Sequence, residues 1–260
     1  MKYTKELEAA IKAGIIAKDI IMDIYNSSFE VEIKEDNSPV TIADKTADQA
    51  IRNYLAPLFP TYHFLTEEGV DNKERLNAEF VWIVDPLDGT KDFIHRDNEF
   101  TICIALSRHG KIVVGVIIAP VTGRVYYATE NGGAYERLSD GTNIKLQVNN
   151  KTSNITIAAS RYHKKASETD YIKRNSDLIT NIVTLGSTLK AIAIASGEIE
   201  MFYRTGRGTK EWDVAAADII VTEAGGLFLK PDLTKIIYNK EDVHNHDGYI
   251  IVNRKENIRL

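Results

Sequence analysis

The sequence predicts a layered α/β fold of mixed α+β order. Three observations carry that expectation. Two amphipathic helices open the chain, a run of consecutive strands follows, and beyond about residue 150 strands and helices alternate. A chain of 260 residues makes one large domain or two small ones, with mass for a substantial core. The change of texture places a boundary near residue 150, dividing 1–149 from 150–260.

The elements follow in order. Thr4 to Tyr25 carries Leu7, Ile11, Ile15 and Met22 on one helical stripe, flanked by Ile16, Ile20 and Ile24, a face wide enough to pack on a sheet. Phe29, Val31 and Ile33 alternate with Glu30 and Glu32 as a half-exposed strand does. Asp36 to Pro39 is read as a loop. Thr41-Ile42-Ala43-Asp44 opens a second helix with a capping-box spacing, and Ala47, Ile51, Tyr54, Leu55 and Leu58 face inward. His63-Phe64-Leu65 is a short strand running into Glu67-Glu68-Gly69. Phe80 to Val84, Phe100 to Leu106, Ile112 to Ala119 and Val125 to Ala128 are strands, and the short links between the last three suit antiparallel hairpins. Farther on come a strand at Ile155 to Ala159, a polar helix at Tyr162 to Arg174 and a strand at Ile182 to Leu185. A helix then starts at Gly186-Ser187-Thr188, and a strand follows at Met201 to Tyr203. The helix opened by Trp212-Asp213 ends at the Gly225-Gly226 cap. Leu227 to Leu229 and Tyr249 to Val252 close the fold.

Composition narrows the function classes. The chain is 43% hydrophobic and 27% charged, with a net charge of −5. Its pI near 5.7 argues against a nucleic-acid binder that works by neutralising phosphates. The single cysteine, Cys103, lies in an apolar run and reads as a small buried hydrophobe. With no internal disulfide to form, the chain suits a reducing compartment. Met1 to Ala10 is charged and amphipathic, unlike a signal peptide or membrane span, so a cytoplasmic location is expected.

The stretch Trp82 to Thr90 organises the chemistry. A five-residue apolar run, Phe80 to Val84, is at ease in a strand buried on both faces, and it stops at Asp-Pro-Leu-Asp-Gly-Thr. Proline and glycine turn the chain there, leaving Asp85 and Asp88 three residues apart across a fixed proline φ. That spacing lets both carboxylates and the Leu87 carbonyl converge on one hard cation such as Mg²⁺, which takes all-oxygen shells. An isolated Asp-Pro turn would be unremarkable; the buried strand delivering it, and the acids elsewhere, favour the metal reading.

Trp82-Ile83-Val84-Asp85-Pro86-Leu87-Asp88-Gly89-Thr90, the Glu67-Glu68 pair before it, and Trp212-Asp213 through Glu223-Ala-Gly-Gly after it together resemble the inositol monophosphatase superfamily. The resemblance implies an αβαβα sandwich of the inositol monophosphatase and fructose-bisphosphatase type. It also implies a Mg²⁺-dependent, lithium-inhibited phosphomonoesterase. By position, Glu67, Asp85, the Leu87 carbonyl, Asp88 and Asp213 would hold two or three Mg²⁺ ions, with Glu68 behind them. Asp213 at a helix start could equally be an N-cap. Asp44 and Thr90 match the pair that positions and deprotonates the attacking water in this family. The first half of the chain would carry most metal ligands; the second would carry Asp213 and substrate contacts.

Substrate choice turns on further similarities. Lys91-Asp92-Phe93 after Gly89-Thr90, Ser160-x-x-His163, Ser187-x-x-Lys190 and Arg204 or Arg207 resemble the CysQ-type 3′(2′),5′-bisphosphate nucleotidase branch. Ser187 and Lys190 are expected on the first turn of one helix, where an anion is favoured. The substrate implied is 3′-phosphoadenosine 5′-phosphate, a by-product of sulfate activation, converted to AMP and phosphate. An inositol or sugar phosphatase is the alternative, and a metal-gated nucleotide binder is a rival of another class. The expected partner is therefore a small phosphorylated nucleotide, with no nucleic acid and no integral membrane segment, and the chain a monomer or homodimer.

Overall fold

The computed structural model describes residues 2–34 and 39–259, so the expected loop at Asp36 to Ser38 lies outside the described residues. In chain order the elements are α1 (Thr4–Tyr25), β1 (Val31–Ile33), β2 (Pro39–Thr41), α2 (Ile42–Leu58), β3 (His63–Thr66), β4 (Phe80–Asp88), α3 (Thr90–Ile94), β5 (Thr101–Arg108), β6 (Lys111–Ala119) and β7 (Arg124–Thr129). They continue as β8 (Gly133–Arg137), β9 (Asn143–Lys145), β10 (Ile155–Ser160), α4 (Ala166–Arg174), β11 (Ile179–Leu185), α5 (Leu189–Ala195), β12 (Met201–Thr205), α6 (Ala215–Glu223), β13 (Leu227–Leu229) and β14 (Gly248–Val252). Pro39, expected in the loop, instead ends a two-stranded ribbon opposite Ile33.

Side-chain alternation along the central strands builds five layers. Trp82 and Val84 of β4, with Ile102, Ile104 and Leu106 of β5, face α1 and α2 in one apolar cluster. Val81, Ile83, Cys103 and Ala105 point the other way, into a second cluster with α5, α6 and the inner face of β12 and β14. The outer face of that second sheet (Ile157, Met201, Ile250) packs with Tyr171 of α4. The order is helix, sheet, helix, sheet, helix, as the resemblance implied. Gly115 lets α6 approach β6 closely, since a Cβ there would lie 2.7 Å from the Ala216 carbonyl oxygen.

The large sheet has the order β3-β4-β5-β6-β7-β8-β9, antiparallel except for the parallel pair β3 and β4. The smaller runs β11-β10-β12-β14-β13, with β10 parallel to both its neighbours. The chain passes between sheets after Lys145, close to the texture change, while the cluster around α6 draws on both.

Three expectations are corrected. β4 does not stop at Val84: Asp85 pairs with Cys103 and Asp88 with Thr101, and an irregularity between them absorbs Pro86. The turn comes four residues later than expected, at Gly89, whose φ of 93° suits glycine. The helix expected from Tyr162 begins only at Ala166, because the His163 carbonyl is held from outside by Arg204 Nη1 at 2.5 Å. The helix expected from Gly186 begins at Leu189, because Ser187 has the left-handed φ of 51°.

Candidate active site

A cleft of about 730 Å³ opens where the ends of β3, β4, β10 and β12 approach the turns before α5 and α6. Of the fifteen residues expected at the site, all but Asp44 line it.

Its acidic wall follows from strand pairing. β3 lies parallel to β4 with Thr66 opposite Val84, and the Glu67 amide donates to the Val84 carbonyl at 3.1 Å, so Glu67 emerges beside Asp85. Asp213 arrives from the turn before α6. Glu67, Asp85 and Asp213 each offer an oxygen, and these lie within 4.8 Å of one another. Asp213 does not cap α6: its Oδ2 accepts the Lys210 amide at 2.6 Å, and Val214 is the N-cap residue. Asp88 stands outside this tight trio. Its Oδ2 takes the Ser187 hydroxyl, the Thr188 amide at 2.6 Å and the Thr101 hydroxyl at 3.4 Å.

Burial first, then mutual repulsion among Glu67, Asp88 and Asp213, pushes the Asp85 carboxyl well above the usual range. Asp213 is raised in the same way. The Lys34 ammonium reaches Glu67 at 3.3 Å and also bonds Glu68, which lies 10% exposed at its side chain. Buried all-oxygen carboxylates that repel one another are what a hard divalent cation relieves, so this donor set fits Mg²⁺.

Behind the acids sits Asp44, whose two oxygens face different partners. Its Oδ2 accepts the Thr41 amide at 2.8 Å and hydroxyl at 2.7 Å, and Thr41 Oγ1 accepts from the Ala43 amide, which completes the capping box. Its Oδ1 accepts the Thr90 hydroxyl at 3.2 Å. That hydroxyl also lies 3.4 Å from the Leu87 carbonyl. Burial raises the Asp44 carboxyl above its ordinary range, and the Thr41 donors pull it partly back.

The opposite wall is basic. Burial, then the charges of Lys91, Arg204, Lys190 and Lys165, push the His163 imidazole down to about 4, so the ring is neutral at pH 7. The expected cations differ in how far they are committed to partners within the protein. Arg207 donates its Nε to His246 Nδ1 at 3.0 Å. Arg204, only 5% exposed, spends Nη1 on the His163 carbonyl and on Glu168 at 3.4 Å. Lys190 donates to the Ser187 carbonyl at 2.6 Å and the Leu185 carbonyl at 3.2 Å, with its ammonium over the Phe202 ring. Burial lowers it to about 8. The pairing of Ser187 and Lys190 on one helical turn is therefore not what forms: the serine hydroxyl turns to Asp88 and the lysine braces the turn itself.

Several contributors carry no local signal. Thr101 and Thr188 help hold Asp88. Glu99 Oε2 accepts the Gly186 amide and an Arg161 guanidinium N–H, each at 2.6 Å, and so anchors the same turn. In sequence Glu99 looks like a solvated surface charge; only the approach of the ends of β10 and β11 reveals its partners. Asp92, beside Arg161 Nε at 3.2 Å, is pushed up to about 6 by burial and then by Asp88. Cys103 is buried, and burial pushes its thiol up, in keeping with a small inert hydrophobe.

Residues 2–258 match the inositol monophosphatase family. A 3′(2′),5′-bisphosphate nucleotidase CysQ of Aggregatibacter actinomycetemcomitans is 32% identical over 95% of this chain and 93% of that protein. The protein of the same name from Escherichia coli K12 is 37% identical over 80% of this chain and 84% of that one. The crystal structure of CysQ from Bacteroides thetaiotaomicron, described as a bacterial member of the family, superposes with a TM-score of 0.84 at 32% identity, covering 98% of this chain and 99% of that chain. With a family match spanning almost every residue and a shared five-layer fold, this chain belongs to the inositol monophosphatase family.

Proposed function

We propose that this protein is a Mg²⁺-dependent phosphomonoesterase that removes the 3′-phosphate of 3′-phosphoadenosine 5′-phosphate, giving AMP and phosphate. One observation carries the reading: a single cleft sets three converging carboxylates, with Thr90 backed by Asp44 behind them, against cations gathered around His163. The acidic wall suits the metals that phosphate-ester hydrolysis needs, and the basic wall suits a substrate with a second phosphate. The substrate class follows the nucleotidases to which the chain is similar.

In this reading Glu67, Asp85, the Leu87 carbonyl, Asp88 and Asp213 hold the ions. Mg²⁺ bound there would neutralise the phosphoryl oxygens and acidify a water. The chain supplies the rest. Thr90 passes its hydroxyl proton toward Asp44 Oδ1, which leaves the threonine oxygen able to take a proton from the attacking water. Gly89 keeps the backbone open beside the scissile phosphate. Ser160, His163 and either Arg204 or Arg207, with Lys91, shape the remote end, while Lys190 braces the turn whose Ser187 hydroxyl holds Asp88. Residues 1–149 then form the unit bearing most metal ligands, and 150–260 the unit bearing substrate contacts and Asp213. Family membership further suggests lithium inhibition, a role in sulfur metabolism and a cytoplasmic setting; no helix among the described residues is long and apolar enough to cross a membrane.

Phosphate release from bisphosphorylated adenosine, inositol monophosphate and fructose bisphosphate, each with Mg²⁺ and with chelator, tests the proposal. Metal-dependent preference for the adenosine substrate is expected. Preference for inositol phosphate would move the assignment to the sugar-phosphatase alternative.

A further inference from the structure

A second cluster of metal-ligating groups lies at the rim of the cleft, on the irregular segment before β14. Asp242, His244 and His246 lie along it with a bridge to Lys210 only at His244, and their side chains converge. Val243 and Asn245 face the other way. Val243 packs against the central core, and the Asn245 amide donates to the Lys210 carbonyl at 2.9 Å, pinning the segment. The three residues each offer one ligand atom, all within 4.8 Å of one another. The atoms are specific: His244 Nδ1 lies 2.9 Å from Asp242 Oδ1, and His246 Nε2 lies 2.6 Å from Asp242 Oδ2. A tetrahedral ion with N and O ligands at about 2.0–2.1 Å spaces them about 3.3 Å apart, a small opening from these distances. Two imidazoles and one carboxylate suit Zn²⁺ and its first-row neighbours, whereas Mg²⁺ prefers an all-oxygen shell. The two clusters therefore differ in donor type, all oxygen in the acidic wall and two imidazoles with one carboxylate at the rim.

We propose that Asp242, His244 and His246 form a zinc-type cation site, and that filling it releases Arg207. The link lies in the protons of one ring. Arg207 Nε can only donate, so His246 Nδ1 accepts from it and the ring's proton sits on Nε2, toward Asp242. A cation bound at Nε2 displaces that proton. A neutral ring must then carry its proton on Nδ1, where it opposes the Arg207 N–H. The hydrogen bond is lost and the guanidinium, which already lines the cleft, is free to turn inward. The consequence for substrate binding rests on the phosphate-binding reading of that cleft; the metal site itself does not.

The test is a calorimetric titration of the Mg²⁺-loaded protein with Zn²⁺, with bound zinc counted after desalting. His244→Ala and His246→Ala should each weaken zinc binding at least about tenfold, as loss of a ligand or its support does. Both rings are at least 40% exposed, so these variants keep the fold. Asp213→Asn, in the acidic wall, should leave this zinc in place. Arg207→Ala should tighten it by about tenfold, because no charge-assisted hydrogen bond then has to be given up. Zinc uptake that is the same in wild type and His246→Ala, or that depends on Asp213 instead, overturns the site. A zinc affinity unchanged or weakened by Arg207→Ala overturns the link between the ion and the arginine. None of these readouts uses phosphatase activity, so failure here is distinct from failure of the proposed reaction.

Discussion

Asp44 separates two contributions that share one carboxylate, and two substitutions pull them apart. Oδ2 caps α2 by accepting from Thr41, while Oδ1 accepts the Thr90 hydroxyl at 3.2 Å. In Asp44→Asn the amide oxygen can still cap the helix. The amide nitrogen then faces Thr90 and donates where the carboxylate accepted, so no base remains to draw off the threonine proton. Loss of a positioned general base lowers kcat by about 10²–10⁴-fold. At 1.36 kcal/mol per decade this corresponds to about 2.7–5.4 kcal/mol of barrier. Asp44→Ala should show the same kinetic loss and also forfeit the cap, worth about 0.5–2 kcal/mol of stability. Steady-state kinetics at saturating Mg²⁺, with denaturant unfolding of both variants, reads the two effects separately. Burial raises the Asp44 pKa, and the base must be ionised to act, so wild-type kcat should fall as pH drops through that raised value. Asp44→Asn should lose this acid limb. If it turns over within about threefold of wild type, well short of the loss expected for a base, Asp44 is only a helix cap.

Other outcomes follow from the same geometry. Asp85→Asn should abolish Mg²⁺-dependent turnover yet raise the melting temperature in chelator, since it removes one of several buried, mutually repelling acids. Because the raised carboxyls bind more protons folded than unfolded, the metal-free wild type should lose stability as pH rises above their unfolded values near 4, and thermal melts across pH check this. Lys190→Ala should lower activity on bisphosphorylated and simple monophosphate substrates alike, because the ammonium braces the Ser187 turn that holds Asp88. If Arg207 rather than Arg204 is the phosphate contact, Arg207→Ala should instead raise KM about ten- to hundredfold for the bisphosphate alone once zinc has freed the guanidinium from His246, the value of one charge-assisted contact, and change it little without zinc. Asp218, which accepts the Tyr238 hydroxyl at 2.8 Å, is pushed up to about 7 by burial. Its folded form keeps its proton to higher pH than the unfolded chain, so stability should fall from about pH 4 to about pH 7; Asp218→Asn should remove that slope and gain on the order of 1–3 kcal/mol at about pH 8 in urea unfolding.

The sequence by itself determined what is local. The hydrophobic runs of β4 to β6, the Thr41–Asp44 capping box and the glycine break at Gly89 all rest on contacts within a few residues, and periodicity and turn chemistry report those, though they ended β4 four residues too early. It also placed Glu67 and Glu68 near a strand end. Only the tertiary structure decided that this end lies beside Asp85, because the parallel pairing of β3 with β4 is a choice of neighbour and register, which no local pattern encodes. The same holds for the cations. Lys190, Arg204 and Arg207 read alike in sequence, yet one braces a turn, one pairs with Glu168 across 36 residues, and one rests on His246. Charges are long-ranged and their side chains flexible, so the partner each finds depends on which elements the fold brings within a hydrogen bond's reach. Lys and Arg side chains therefore stay ambiguous until the sheets are assembled, whereas buried apolar strands do not.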